Sequence, residues 1–216
     1  ETANNLNRLS NTLQTITNNL QTCRGLAITQ EESVDQLKRS IEGLTVEIIP
    51  PLIPVIKKIE HSFANFSVDK NTLNGLHAAR WCYDNRMYQQ AITILQETIV
   101  TLICEQMGLS VEDEEERMLV NSAFYVVYNK KQQHEETWKL PNDSKGEDAK
   151  NKVRELIQLP IVNALSGSFK VATNLRNDFN HSGFRNNPMK ANKMIKSIGE
   201  RIQKVCDILI PNNDVH

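Results

Sequence analysis

The sequence predicts an all-α fold, and three observations predict it. Apolar residues recur at alternating steps of three and four, as on Leu6, Leu9, Leu13, Ile16 and Leu20. Nothing alternates with period two over a useful length, so no sheet is assigned. Eight Gly and seven Pro in 216 residues are few, which favours long helices over a many-turned β fold.

The first stripe is set in Asn, Gln and Thr, a narrow seam suited to packing against another helix. A second helix is expected after Thr29, with Glu31 and Glu32 complementing the dipole of its first turn and Val34, Leu37, Ile41 and Leu44 inward. Ile48-Ile-Pro-Pro-Leu-Ile-Pro54 interrupts the pattern, because prolines stop or kink a helix; Pro51 or Pro54 suits the opening of the next one. That helix carries Val55, Ile56, Ile59 and Phe63 to about Phe66. Ser67-Val-Asp-Lys70 reads as loop or cap. The boundary is placed there, giving a helical extension over 1–66 and a main domain over 67–216.

Past the boundary the helical signal is densest. Leu73, Leu76, Ala79, Trp81 and Tyr83 mark one helix ending near Asp84-Asn85. Tyr88 to Met107 marks its antiparallel neighbour, with Ala91, Ile92, Leu95, Ile99, Leu102 and Ile103 on the buried face. Gly108 ends that helix and Ser110 caps the next, with Asp113 where a capping box needs it. The acidic run Glu112–Glu116 reads as a first turn matched to the helix dipole rather than as a Mg2+ site. Met118, Leu119, Phe124, Val127 and Tyr128 continue the helix. Residues 129–146 read as a long polar surface loop whose Trp138 either stacks on a base or tucks into a crevice. A short helix over Glu147–Leu159 is closed by Pro160, and Ile161 leads into the next. Pro188 opens the last helix, with Ala191, Met194, Ile195, Ile198, Ile202, Val205 and Leu209 inward.

Composition bounds the function classes. A formal charge of −1, with 39% hydrophobic and 24% charged residues, is ordinary for a folded domain, so any nucleic-acid footprint must be local. Cys23, Cys82, Cys104 and Cys206 lie far apart with no C-x-x-C pair. That argues against a zinc ribbon or a disulfide framework and for a reducing, cytoplasmic setting with buried free thiols. No run approaches the length of a membrane span and no signal-peptide pattern opens the sequence. The first residue is Glu1, which suggests a domain excised from a longer protein. Glycine-rich phosphate loops and the G-x-S-x-G elbow are missing, and His61 and His77 lack partners at metal spacing.

One stretch carries chemistry: Leu175-Arg-Asn-Asp-Phe-Asn-His-Ser-Gly-Phe-Arg185. It sets a permanently charged guanidinium, Arg176, five positions ahead of an imidazole, His181, with Asn177, Asp178 and Asn180 between them. Ser182-Gly183 is a stop signal, so His181 lies near a helix end. Five helical steps rotate a side chain by about 140°, so the pair does not stack on one straight face. The two can still border one cleft if the helix loosens or a second subunit completes the site. Such a pair suits phosphodiester chemistry: the imidazole moves a proton near neutral pH and the guanidinium stabilises charge on the phosphorane. The spacing is common by chance, and a surface Arg with a capping His is the alternative. Downstream, Arg185, Lys190, Lys193, Lys196, Arg201 and Lys204 face only Glu200, a patch that would attract a phosphate backbone or simply line a solvated helix face. Asp84, Glu97 and Glu105 could reach a cleft, but no spacing pairs them.

The stretch Arg176-Asn-Asp-Phe-Asn-His181 resembles the R-x(4–6)-H motif of HEPN ribonuclease domains, with polar Asn177 directly after the Arg. Ala79-Arg-Trp-Cys-Tyr-Asp-Asn-Arg-Met-Tyr-Gln-Gln-Ala91, continuing to Leu95-Gln-Glu97, resembles the first helical pair of the HEPN region in CRISPR-associated CARF–HEPN proteins of type III systems. Phe179-Asn-His-Ser-Gly-Phe-Arg185 is similar to the same group. The likeness covers about residues 67–216, with the proline-broken helices as lead-in. It implies an all-α HEPN homodimer that cuts single-stranded RNA without a metal ion or other cofactor. Motif helices of two subunits would meet, so that the Arg–His pairs share a composite cleft. His181 would assist the ribose 2′-hydroxyl or protonate the leaving 5′-oxygen, Arg176 would hold the scissile phosphate, and Asn177 would orient the pair. Products would carry a 2′,3′-cyclic phosphate and a 5′-hydroxyl. Arg185, Lys190 and Lys193 would contact RNA. Relatives carry an N-terminal CARF sensor for cyclic oligoadenylate; no such βαβ pattern exists here, which fits an excised domain. Two other classes stay open: a HEPN-like module that binds RNA or protein without cutting, and a purely structural helical dimerisation domain.

Overall fold

The computed structural model describes residues 2–30, 33–44, 50–129, 134–138, 140, 146–184 and 186–210. Among them the chain is all helical, with ten α-helices, two 3-10 turns and no strand. No described helix is long and apolar enough to cross a membrane. The chain forms two compact units, Glu1–Ile94 and Leu95–His216, and the division falls inside one helix. The loop at residues 67–70 lies within the first of these units.

In the first unit, α1 (Thr2–Gln21) packs against α2 (Gly25–Thr29) and α3 (Ser33–Glu42). Its buried seam is Leu9, Thr12, Ile16 and Leu20, with Leu6 and Leu13 at the margin. Thr12 can occupy the seam because its hydroxyl donates back to the Arg8 carbonyl, 2.9 Å away, leaving no unpaired donor. The sequence pattern gave no sign of α2, a single turn entered through Cys23 at φ 55°. α3 buries Val34, Leu37 and Ile41 as expected; Glu31 and Glu32, assigned to its first turn, lie outside the described residues.

A 3-10 turn over Pro50–Leu52 leads into α4 (Ile53–Ser62), with Pro54 in its first turn, where a missing N–H is harmless. α4 ends before Phe66. Val55 is 53% exposed, and Ile56 is the buried residue of this short helix. Phe63 and Phe66 are buried just beyond it, and Phe63 stacks on Trp81 of α5 (Asn74–Asp84) at 5.7 Å. Asn74 acts as a staple: its Oδ1 accepts from Ser67 N at 2.8 Å and its Nδ2 donates to the Ser67 carbonyl at 3.1 Å.

α6 (Tyr88–Gln106) is buried on most of its circumference, including Ile94, Val100 and Cys104, which explains its weak apolar stripe. Burial pushes the Cys104 thiol up to about 11 and the Cys82 thiol up to about 12, so both stay protonated near neutral pH. Cys82 and Cys104 are buried as expected, whereas Cys23 and Cys206 are only half-buried.

In the second unit, α7 (Glu114–Tyr128) packs on α8 (Glu147–Gln158) and α9 (Pro160–Asn180), and α9 also meets α10 (Ala191–Leu209). Ser110 is not the cap of α7. Asp113 is, its Oδ1 accepting from Glu116 N at 2.9 Å; Ser110 Oγ instead accepts from Glu112 N and Asp113 N at 3.2 and 3.1 Å. The Glu116 carboxylate closes the motif on Ser110 N, one turn earlier than a capping box would. The acidic run thus forms the entry to the helix. Along α7, Leu119 and Phe124 are buried and Met118 is 48% exposed. Trp138, after a 3-10 turn over Glu135–Thr137, is half-buried, and that turn is tied down by paired bonds between the Glu135 carboxylate and Arg154 of α8. The last helix begins at Ala191, not at Pro188, and Ala191 is exposed.

Candidate active site

α9 begins at Pro160 and buries Val162, Leu165, Phe169, Ala172 and Leu175 along one face. Phe169 lies flat on Phe124 of α7, with ring centroids 4.1 Å apart, which fixes the rotation of the helix. Everything beyond Leu175 inherits that rotation.

Arg176 follows the last core leucine, and its side chain is one-third exposed. Its Nη1 donates to Glu97 Oε1 of α6 at 2.7 Å. The other oxygen, Glu97 Oε2, accepts from Arg117 Nη2 of α7 at 2.8 Å. Arg117 Nη1 in turn donates to Thr101 Oγ1 and the Val111 carbonyl, both at 3.0 Å. One carboxylate therefore holds two guanidiniums, and Arg117, only 18% exposed and bonded through both Nη atoms, is the anchor. One turn earlier, Gln96 Nε2 donates to Thr173 Oγ1 at 3.2 Å, a second tie between the same two helices.

His181 is the C-cap of α9, its N–H donating to the Asn177 carbonyl at 3.1 Å, and its ring is exposed. Helix termination comes from Ser182 (φ 50°) and Gly183 (φ 74°), two left-handed residues in a row. Asp178 then organises the turn. Its carbonyl accepts from Gly183 N at 3.2 Å and its Oδ2 from Met189 N at 2.8 Å. It is buried, and its Oδ1 makes no hydrogen bond among the described residues.

The expected site residues thus share one end of α9 but not one pocket within a single chain. Arg176 turns toward Glu97, His181 toward solvent, and no hydrogen bond among the described residues joins them. Asn177 faces solvent beside them. Lys190, the N-cap of α10, and Lys193 are exposed, while Arg185 lies outside the described residues. Lys196 and Arg201 approach Glu200 at 3.8 and 3.9 Å, too loosely to cancel the positive face. By contrast, a groove of about 410 Å3 at the starts of α7 and α8 is lined by Asp113, Glu115, Glu116 and Asp148 with Lys152, which would repel a phosphate backbone.

The sequence offers no pairing for Glu97, no sign of Arg117, and no role for Asp178 beyond its place between Arg176 and His181. Glu97 stands 79 residues from Arg176 and 20 from Arg117, so no local spacing could join them. Among the described residues no cluster of three His, Cys, Asp or Glu side chains is arranged to hold a metal ion. No family model matches the chain, and neither a curated protein nor a solved structure matches it.

Proposed function

We propose that the chain is a HEPN-type endoribonuclease domain that cuts single-stranded RNA by attack of a ribose 2′-hydroxyl on the adjacent phosphate. The observation that carries this reading is a guanidinium held by Glu97 on the last turn of the same helix that ends in an exposed imidazole. Restraint by Glu97 removes rotamer freedom from Arg176 before substrate arrives, which favours stabilisation of the phosphorane over mere binding. His181 takes the 2′-hydroxyl proton or gives one to the 5′-oxygen. The angular separation of the two side chains in one chain is resolved by a homodimer, in which the ends of two α9 helices border one cleft. Asn177, on the exposed side, orients the groups, and Lys190, Lys193 and Arg185 attract the strand. In this reading the domain serves type III CRISPR antiviral defence in the cytoplasm, with cyclic oligoadenylate acting through a sensor domain outside this sequence.

The test is cleavage of a fluorogenic single-stranded RNA, with and without EDTA. His181→Ala and Arg176→Ala are each expected to abolish cutting while sedimentation stays that of the wild type, and EDTA is expected to change nothing. Undiminished cutting by both variants removes the reading.

A second reading is a HEPN-like module that grips RNA or a protein without cutting. What favours it is the same Glu97, which already offsets the charge of Arg176. Stable retention of intact RNA by the wild-type chain would select it.

A further inference from the structure

We propose that Phe184 is a stacking platform for one nucleobase of the single-stranded RNA, next to the nucleotide that His181 acts on. This rests on the ribonuclease reading and narrows it, naming the group that grips the strand beside the cut.

Phe184 is 92% exposed, whereas the other exposed large apolar side chains among the described residues lie between 36 and 53%. An aromatic ring left this bare is unusual in a chain that hides Phe63, Phe66, Phe124 and Phe169 almost completely. The ring is not at the tip of a slack loop. Phe184 N donates to the His181 carbonyl at 2.8 Å, closing a four-residue turn, and Gly183 N donates to the Asp178 carbonyl. Asp178, only 5% exposed, also holds Met189 N, so both ends of the segment are pinned to the buried end of α9. Gly183 has a φ of 74°, which favours glycine, so the conformation of the turn is set at this position.

A turn of this kind brings its end Cα atoms to within about 7 Å of one another, comparable with the reach of one nucleotide. Phe184 thus follows His181 at about the spacing of neighbouring nucleotides, which suits a base adjoining a phosphate at His181.

The surroundings choose between a nucleobase and a protein. Asn186, Asn187, Lys190 and Lys193, which follow the ring in sequence, are all exposed, and Met189, at 40%, is the other large apolar group of the segment. A single ring among cationic and amide side chains is the composition of a single-strand platform. An interface core would be broader and depleted of lysine.

The test uses the 216-residue chain and short single-stranded RNAs made uncleavable by 2′-fluoro riboses, with one 2-aminopurine moved along the strand. Wild type is expected to quench the probe at one or two positions. Phe184→Tyr and Phe184→Trp keep the quenching; Phe184→Ala and Phe184→Leu lose it and bind about tenfold more weakly, the size of one lost base–aromatic stack. The leucine variant separates an aromatic face from apolar area, and none of these changes touches the core. Unaltered quenching and affinity in Phe184→Ala would overturn the platform and leave the ribonuclease reading standing. Quenching with no cleavage of the all-ribose strand would do the reverse. Absence of RNA binding removes both. If Phe184→Ala sediments as a smaller species than wild type, the ring belongs to a contact between two copies, and the platform is likewise overturned.

Discussion

Glu97 shows how much one carboxylate can organise. It anchors to Arg117 through one oxygen and presents Arg176 through the other. Since Glu97 and Arg176 are each a third or more exposed, solvent screens the pair, and the stability at stake is small. Glu97→Ala is therefore expected to lower unfolding free energy by about 1 kcal/mol in a urea titration. Under the ribonuclease reading its kinetic effect is larger: kcat falls about tenfold to a hundredfold with KM little changed, because a loosely held guanidinium misses the transition state. Loss of KM alone would make Glu97 a binding residue.

His77 belongs to the same scale. Burial lowers its pKa from the ordinary 6.5, and its ring lies 5.8 Å from that of Phe66. The unfolded chain then binds a proton more readily than the folded one, so stability rises with pH between the folded and unfolded values. The contribution of the neutral ring is complete above about pH 6.5 and is lost as pH falls below it. Urea titrations from pH 5 to 8 are expected to show this slope in the wild type and a shallower one in His77→Phe. Identical slopes would contradict it.

At the level of elements, the entry to α7 separates what sequence spacing can say from what geometry decides. Ser110 and Asp113 both suit a cap, and the serine lies at the distance expected of a capping box. In the fold the helix starts later, because the Glu116 carboxylate reaches Ser110 N and leaves Asp113 to accept from Glu116 N. Asp113→Ala is expected to cost about 1 kcal/mol and Ser110→Ala clearly less, measured by thermal or urea unfolding. The reverse order would restore the serine cap. α9 was legible for a related reason: Pro160 fixes its start and Gly183 its end, and both act through local backbone sterics. α2 was not, since one turn offers no periodicity to read. α6 was found by its apolar density, but Gln96 and Thr98 are buried within it, and polar residues give no warning of that.

Across the whole molecule, the helical class was legible because the three-and-four recurrence reports burial directly. The Arg176–His181 spacing was legible too, since both sit on one helix and its cap. What gives Arg176 its direction was not, because the Arg117–Glu97–Arg176 ladder joins residues far apart in the chain. Under the ribonuclease reading the group that completes a cleft at His181 comes from a second copy, and no pattern in one chain states where such a copy would sit.

The most direct measurement uses an oligonucleotide that is DNA except for one ribose, with its products weighed by mass spectrometry. If a guanidinium and an imidazole on α9 drive 2′-hydroxyl attack, the wild type cuts once, just 3′ of the ribose. It leaves a 2′,3′-cyclic phosphate and a 5′-hydroxyl, and His181→Ala leaves the strand whole. Cutting elsewhere, cutting of the all-DNA control, or the same cut by His181→Ala would contradict the account.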